Sequence, residues 1–144
     1  MNEWSSLVRS DPRADQVLRV FQSYAAAFRA LDPSGVAEHF DLPCLLLSPR
    51  GNLAGTTAAD VERFYAGVMA NARSRGYATT EFEQLNARLL DANTAAVTGH
   101  GKWKTDHGMT IMRFELAFIL RRVDGRWKIA VSDVRGSAGL HRPS

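Results

Sequence analysis

The sequence predicts one α+β domain, in which a four-strand antiparallel meander and a short hairpin close on three N-terminal helices. Three observations predict it. Up to about residue 74 the apolar residues recur at three- and four-residue steps. From Tyr77 onward the period falls to two. The segments of that second half are separated by turns of two or three residues, too short for the crossover that parallel neighbours need. A length of 144 residues fits a single domain.

The elements follow in order. Residues 1–12 are expected to be a flexible lead-in and residues 137–144 a flexible tail, flanking a domain over 13–136. Asp11 and Pro12 make a good N-cap and first helical residue. The helix they open runs to about Leu31, with Val17, Val20, Phe21, Tyr24, Phe28 and Leu31 on one face. Asp32-Pro33-Ser34-Gly35 breaks it, and Val36 to Phe40 reads as a short second helix. A strand is expected over Cys44 to Ser48, then a turn at Pro49-Arg50-Gly51-Asn52 and a return at Leu53-Ala54. Thr57 with Asp60 three residues on imitates a capping box. The third helix extends to about Ser74 with Val61, Phe64, Tyr65, Val68 and Met69 on one face, and Gly76 ends it. Four strands follow, at about 78–90, 94–105, 109–123 and 126–135. The Asp124-Gly125 pair between the last two is a hairpin signal.

Composition excludes several classes. Hydrophobic residues at 45% and charged residues at 23% are globular values rather than those of a disordered chain. The apolar run Leu116 to Leu120 is far short of the ~18 residues of a membrane span. The N-terminal residues lack an apolar signal-peptide core, and a lone cysteine, Cys44, forms no internal disulfide; both predict a cytoplasmic protein. On its apolar strand Cys44 reads as a small buried hydrophobe. Four histidines without ligand spacing, and no phosphate-binding glycine loop, predict neither a metal nor an organic cofactor. The net charge of +3 divides unevenly, at −2 over residues 1–98 and +5 over 99–144. The basic residues are scattered over strands and turns, with no basic helix, so no nucleic-acid partner is expected.

The order of elements resembles the nuclear transport factor 2-like superfamily, which includes ketosteroid isomerases, scytalone dehydratase and SnoaL-like polyketide cyclases. Phe21-Gln22-Ser23-Tyr24 with Phe28 and Leu31-Asp32 is similar to its first helix. Residues Phe114 to Ile129, through Asp124-Gly125-Arg126-Trp127, resemble its last hairpin. The resemblance covers residues 13–136 and implies a curved sheet whose concave face lines a conical pocket.

Phase then assigns side chains to faces. In the strand 109–123, Met112, Phe114, Leu116, Phe118 and Leu120 form the continuous apolar set expected to face inward. In the last strand Trp127, Ile129, Val131 and Asp133 share a phase, which puts a carboxylate at the end of an apolar row. Buried without a partner, Asp133 would be a general acid or base near neutral pH; the alternative is that it lies at the strand end, solvated or paired with Arg135 or a neighbouring turn. His39, on the short helix, is the second catalytic candidate, and the alternative is that it caps the helix or packs on the sheet. Tyr24 and Tyr65 are expected to present hydroxyls to a ligand, with Phe28, Phe40, Phe114, Leu116, Phe118 and Trp127 as apolar lining. Gly99 and Gly101 in an inward row either let the sheet bend or enlarge the cavity.

The expected function is binding of an apolar small molecule, with cofactor-free isomerase, cyclase or dehydratase chemistry by proton transfer as its catalytic form. The alternative is a non-catalytic ligand-binding or dimeric assembly module. The outer row of strand 109–123 mixes Ile111, Ala117 and Ile119 with Arg113, Glu115 and Arg121, which predicts a homodimer through the convex face. Members of the superfamily commonly pair there, and a two-fold axis would bring Arg113 of one chain towards Glu115 of the other.

Overall fold

A computed structural model describes residues 11–49 and 51–136. The expected lead-in, apart from Asp11 and Pro12, and the whole expected tail lie outside the described residues. Three helices and six strands follow the predicted order: α1 (Pro12–Arg29), α2 (Pro33–Ala37), β1 (Phe40–Ser48), β2 (Gly51–Gly55), α3 (Ala58–Ser74), β3 (Thr79–Asp91), β4 (Thr94–Lys104), β5 (Thr110–Val123) and β6 (Arg126–Gly136). The Asp11 carboxylate accepts from the Arg13 backbone N–H at 2.9 Å and starts α1. At α3 both halves of the Thr57–Asp60 capping box are present.

The second helix begins earlier than its apolar residues suggest. Asp32 and Pro33 repeat the cap-and-proline pair of α1, the Asp32 carboxylate accepting from the Gly35 N–H at 3.1 Å. The segment read as a breaker is therefore the cap and first turn of α2. The same shift lengthens β1, which begins at Phe40 rather than Cys44.

All six strands belong to one sheet in the order β2-β1-β6-β5-β4-β3. Every pairing is antiparallel except β1 with β6, the parallel contact that joins the hairpin to the meander. One side of the sheet packs on α1 and α3. From α1 come Val17, Phe21, Tyr24 and Phe28; from α3 come Val61, Tyr65, Met69 and Ala72. The facing rows include Val97 and Trp103 of β4 and the expected set Phe114, Leu116, Phe118 and Leu120 of β5.

The sheet bends where β3 carries an extra residue, Glu83, between the pairs Phe82↔Gly101 and Gln84↔His100. A Cβ at Gly99 would collide with the Gln84 carbonyl oxygen, and one at Gly101 with that of Glu81. The two glycines thus admit close passage of the β3 backbone at the bend.

A second bulge lies in β6. Leu120 pairs with Ile129 but Ile119 pairs with Val131, so Ala130 has no partner on β5. Beyond it the alternation is inverted. Trp127 and Ile129 are buried as predicted, but the next buried residue is Ser132, opposite Phe118. Asp133 pairs with Ala117 on the other face. The expectation that Val131 and Asp133 continue the inward row is corrected by this one inserted residue.

Candidate functional site

Between α1, α3 and the concave face lies a cavity of about 800 Å³. This is within the range of small-molecule sites, roughly 300–1,000 Å³. Its walls are set by the helical and strand periods. Phe21, Tyr24 and Phe28 come from successive turns of α1; Phe64, Tyr65, Val68, Asn71 and Arg75 come from α3 and its C-terminal cap. The strands contribute Phe82, Trp103, Phe114, Leu116, Phe118 and Val134 among others.

Three hydroxyls lie together in this apolar wall. The Tyr24 and Tyr65 oxygens are 2.9 Å apart, and the Tyr65 oxygen is 3.2 Å from Ser132 Oγ. All three residues are at most 6% exposed. Aromatic packing fixes the phenols: Tyr24 stands 5.2 Å from Phe118 and 6.0 Å from Tyr65 between ring centroids. Burial pushes the Tyr65 hydroxyl up to about 12. Burial first, and the neighbouring Tyr65 second, hold the Tyr24 hydroxyl well above its ordinary range. Both phenols are therefore neutral near pH 7 and act as hydrogen-bonding groups.

Proton counting makes the cluster more than a structural bridge. Three hydroxyls hold three protons, and the two contacts within the cluster use two. In either direction of the chain, or with Tyr65 accepting from both sides, one O–H remains to be directed at an acceptor. A buried donor without an acceptor costs about 1–3 kcal/mol.

Of the residues expected to line the pocket, Tyr24, Phe28, Tyr65, Phe114, Leu116 and Phe118 do so. Phe40 and Trp127 do not. Both are buried: Phe40 packs behind the two phenols, its ring 5.8 Å from Tyr65 and 6.2 Å from Tyr24 between centroids, and Trp127 lies by the β5–β6 turn, paired with Arg122. Neither catalytic candidate lines the cavity. Asp133 is on the convex face, its carboxylate 3.8 Å from Arg135 Nε. The His39 ring is held between elements, with Nδ1 2.8 Å from the Gly35 carbonyl oxygen and Nε2 2.9 Å from Ser23 Oγ. It ties α2 to α1. Among the described lining residues there is no carboxylate and no imidazole. Among the described residues no group of three or more His, Cys, Asp or Glu could hold a metal ion. Cys44 is buried, and burial pushes its thiol up, away from the reactive thiolate.

Ser132, Asn71 and Arg75 are among the polar lining residues that phase reading missed, with Ser48 and Thr80. The signal for two of them was present: Phe64, Val68, Asn71 and Arg75 are spaced i, i+4, i+7, i+11. Ser132 had none, because its side depends on the bulge.

A helix-backed, curved sheet around an open apolar cavity defines a cone-shaped α+β pocket protein. Residues 14–136 match the NTF2-like protein family DUF6841, and the chain belongs to that family. No curated protein matches it in sequence. Among solved structures it is similar to Aln2 from a Streptomyces species, with a TM-score of 0.75, 16% identity, and coverage of 92% of this chain and 96% of that one. An NTF2-like protein with a cystatin-like fold from Novosphingobium aromaticivorans gives a TM-score of 0.73 at 11% identity, covering 100% of this chain and 92% of its own. A ketosteroid isomerase-like protein from Erwinia carotovora atroseptica gives 0.66 at 17% identity, covering 85% and 94%. At these identities the likeness is one of fold.

The phenols have a consequence at high pH. A hydroxyl with its pKa raised from 10.0 to about 12 in the folded state gives stability that is complete below pH 10 and lost as pH rises towards 12. For Tyr65 this amounts to about 3 kcal/mol. Urea denaturation of Tyr65→Phe between pH 8 and 12 is expected to show a shallower alkaline loss than the unmodified protein. Equal slopes would contradict the burial of this hydroxyl.

Proposed function

We propose that this protein binds an apolar small molecule carrying an oxygen acceptor, held in the cone by hydrophobic contact and oriented by the Tyr24–Tyr65–Ser132 hydroxyls. The observation that carries the reading is the proton left over in a buried three-hydroxyl cluster lining a cavity of about 800 Å³. A ligand carbonyl or ether oxygen would accept it. Apolar surroundings strengthen that hydrogen bond and penalise a ligand without an acceptor.

Isomerase, cyclase or dehydratase chemistry is the second reading, supported by the likeness to a ketosteroid isomerase-like protein. A proton-transfer step needs a group that exchanges protons near neutral pH. The described lining supplies neutral phenols and one guanidinium, so it supports binding further than catalysis. A role in assembly alone would be favoured by a cavity filled with its own aromatic rings, and this one has room for a ligand. Cys44, kept as a buried thiol, supports a cytoplasmic setting.

The pocket reading is tested with the ketone 6-propionyl-2-(dimethylamino)naphthalene, whose emission moves to the blue in apolar surroundings. Saturable binding is expected, abolished by Val68→Trp, which fills the cavity. The double variant Tyr24→Phe/Tyr65→Phe replaces both phenols without loss of volume and should weaken the ketone by about tenfold. The propyl analogue that lacks the carbonyl should be unaffected by that change. Non-saturable binding, or indifference to both variants, would contradict the reading.

We further propose a homodimer through the convex face. Strand registers align Ala54, Leu45, Val131, Ile119 and Ala96 in one apolar stripe across it. Leu45 is 38% exposed and the three last-named are half-buried. A stripe of this kind suits self-association about a two-fold axis. Arg113, expected to approach a partner's Glu115, stands 3.5 Å from Glu83 of its own chain, so the proposal rests on the stripe. Light scattering at tens of micromolar should give twice the mass of the chain, and Ile119→Asp should give the single-chain mass. A monomer before the substitution, or an associated variant after it, would overturn the dimer.

A further inference from the structure

The stripe of α3 that faces the cavity changes character along its length. Phe64 and Val68 are apolar; Asn71 and Arg75, one and two turns further on, are polar and exposed. The opposite end holds the buried hydroxyl cluster. From Tyr65 to Arg75 the helix rises about 15 Å. The cavity is thus apolar in its body, bears hydroxyls at its buried end, and has a guanidinium at its mouth.

Arg75 is positioned rather than loose. It is the C-terminal cap of α3, and its Nη2 donates to the Ile111 carbonyl oxygen at 3.2 Å, which ties the side chain to the start of β5. One of its five N–H groups is used there, leaving four. Among the described residues no carboxylate pairs with it, and no other charged side chain lines the cavity. On the sheet Arg113, Arg121 and Arg135 have carboxylates within 4 Å, while Arg88, Arg122 and Arg126 face solvent; what sets Arg75 apart is its place in the cavity lining.

We propose that the cavity takes an apolar molecule ending in a carboxylate, its hydrophobic body beside Phe64 and Val68 and its carboxylate on Arg75 and Asn71 at the mouth. The planar guanidinium fork matches a carboxylate in a bidentate pair, and the Asn71 amide adds a neutral donor on the same helix face. The ligand would span its oxygen acceptor and its carboxylate over a length on the order of that 15 Å rise. This inference rests on the pocket reading above and adds the charge and orientation of the ligand.

The experiment uses two probes that share fluorophore and chain, 11-(dansylamino)undecanoic acid and its methyl ester. Both should bind saturably and be displaced by the naphthyl ketone, the acid about tenfold more tightly. Arg75→Gln should remove that preference and leave the ester unchanged; Arg75→Lys, which keeps the charge without the fork, should restore part of it. Arg88→Gln, on β3, should alter neither. Equal binding of acid and ester, or a preference that survives Arg75→Gln, would overturn the carboxylate assignment while the ester's binding upheld the pocket. Failure of both probes to bind would overturn the pocket reading and this inference with it.

Discussion

The extra residue at Ala130 decides what chemistry the cavity contains. Strand side chains alternate with a period of two, so one inserted residue exchanges the faces of everything beyond it. With Ala130 unpaired on β5, Ser132 enters the wall beside Tyr65 and Asp133 leaves it for the convex face. Without the bulge a carboxylate would sit among aromatic rings, where desolvation would raise its pKa towards neutrality. With it, the same stretch of chain supplies a hydroxyl. The neutral interior and the third hydroxyl beside the phenols follow from that exchange.

A second local device keeps the cone open. Gly99 and Gly101 let β3 cross close to β4 at the Glu83 bulge, so the far side of the sheet curls over the helices. The helices close the other wall, held at their starts by Asp11, Asp32 and the Thr57–Asp60 box. Salt links on the convex side, such as Glu83 with Arg113, are partly open to solvent and contribute little each. The cavity therefore depends on strand geometry and aromatic packing, and its polar groups are few enough for each to have an identifiable task.

Much of this was legible before the structure. The helices α1 and α3 follow from Asp-Pro and Thr-Asp signals together with period-3.6 burial, and the inward row of β5 follows from its unbroken apolar alternation. The family hairpin around Asp124-Gly125 was readable for the same reason, since turn chemistry is local. What escaped has a common cause. The sides of Ser132 and Asp133 depend on how β6 pairs with β5, and pairing registers are tertiary facts. Phe40 and Trp127 are inward as expected but do not reach the cavity, Phe40 because the Tyr24 and Tyr65 rings stand in front of it, since phase gives a face and not a depth. His39 and Ser23 are sixteen residues apart and meet only because α2 folds back on α1.

The central claim is that β6 changes phase before residue 132, and it is tested most directly by nuclear Overhauser contacts from the Tyr65 ring in an isotopically labelled sample. The account predicts cross-peaks between the Tyr65 ring protons nearest the hydroxyl and the Ser132 Hβ protons, with none to Asp133 Hβ. Contacts from Tyr65 to Asp133, with Ser132 silent, would contradict it.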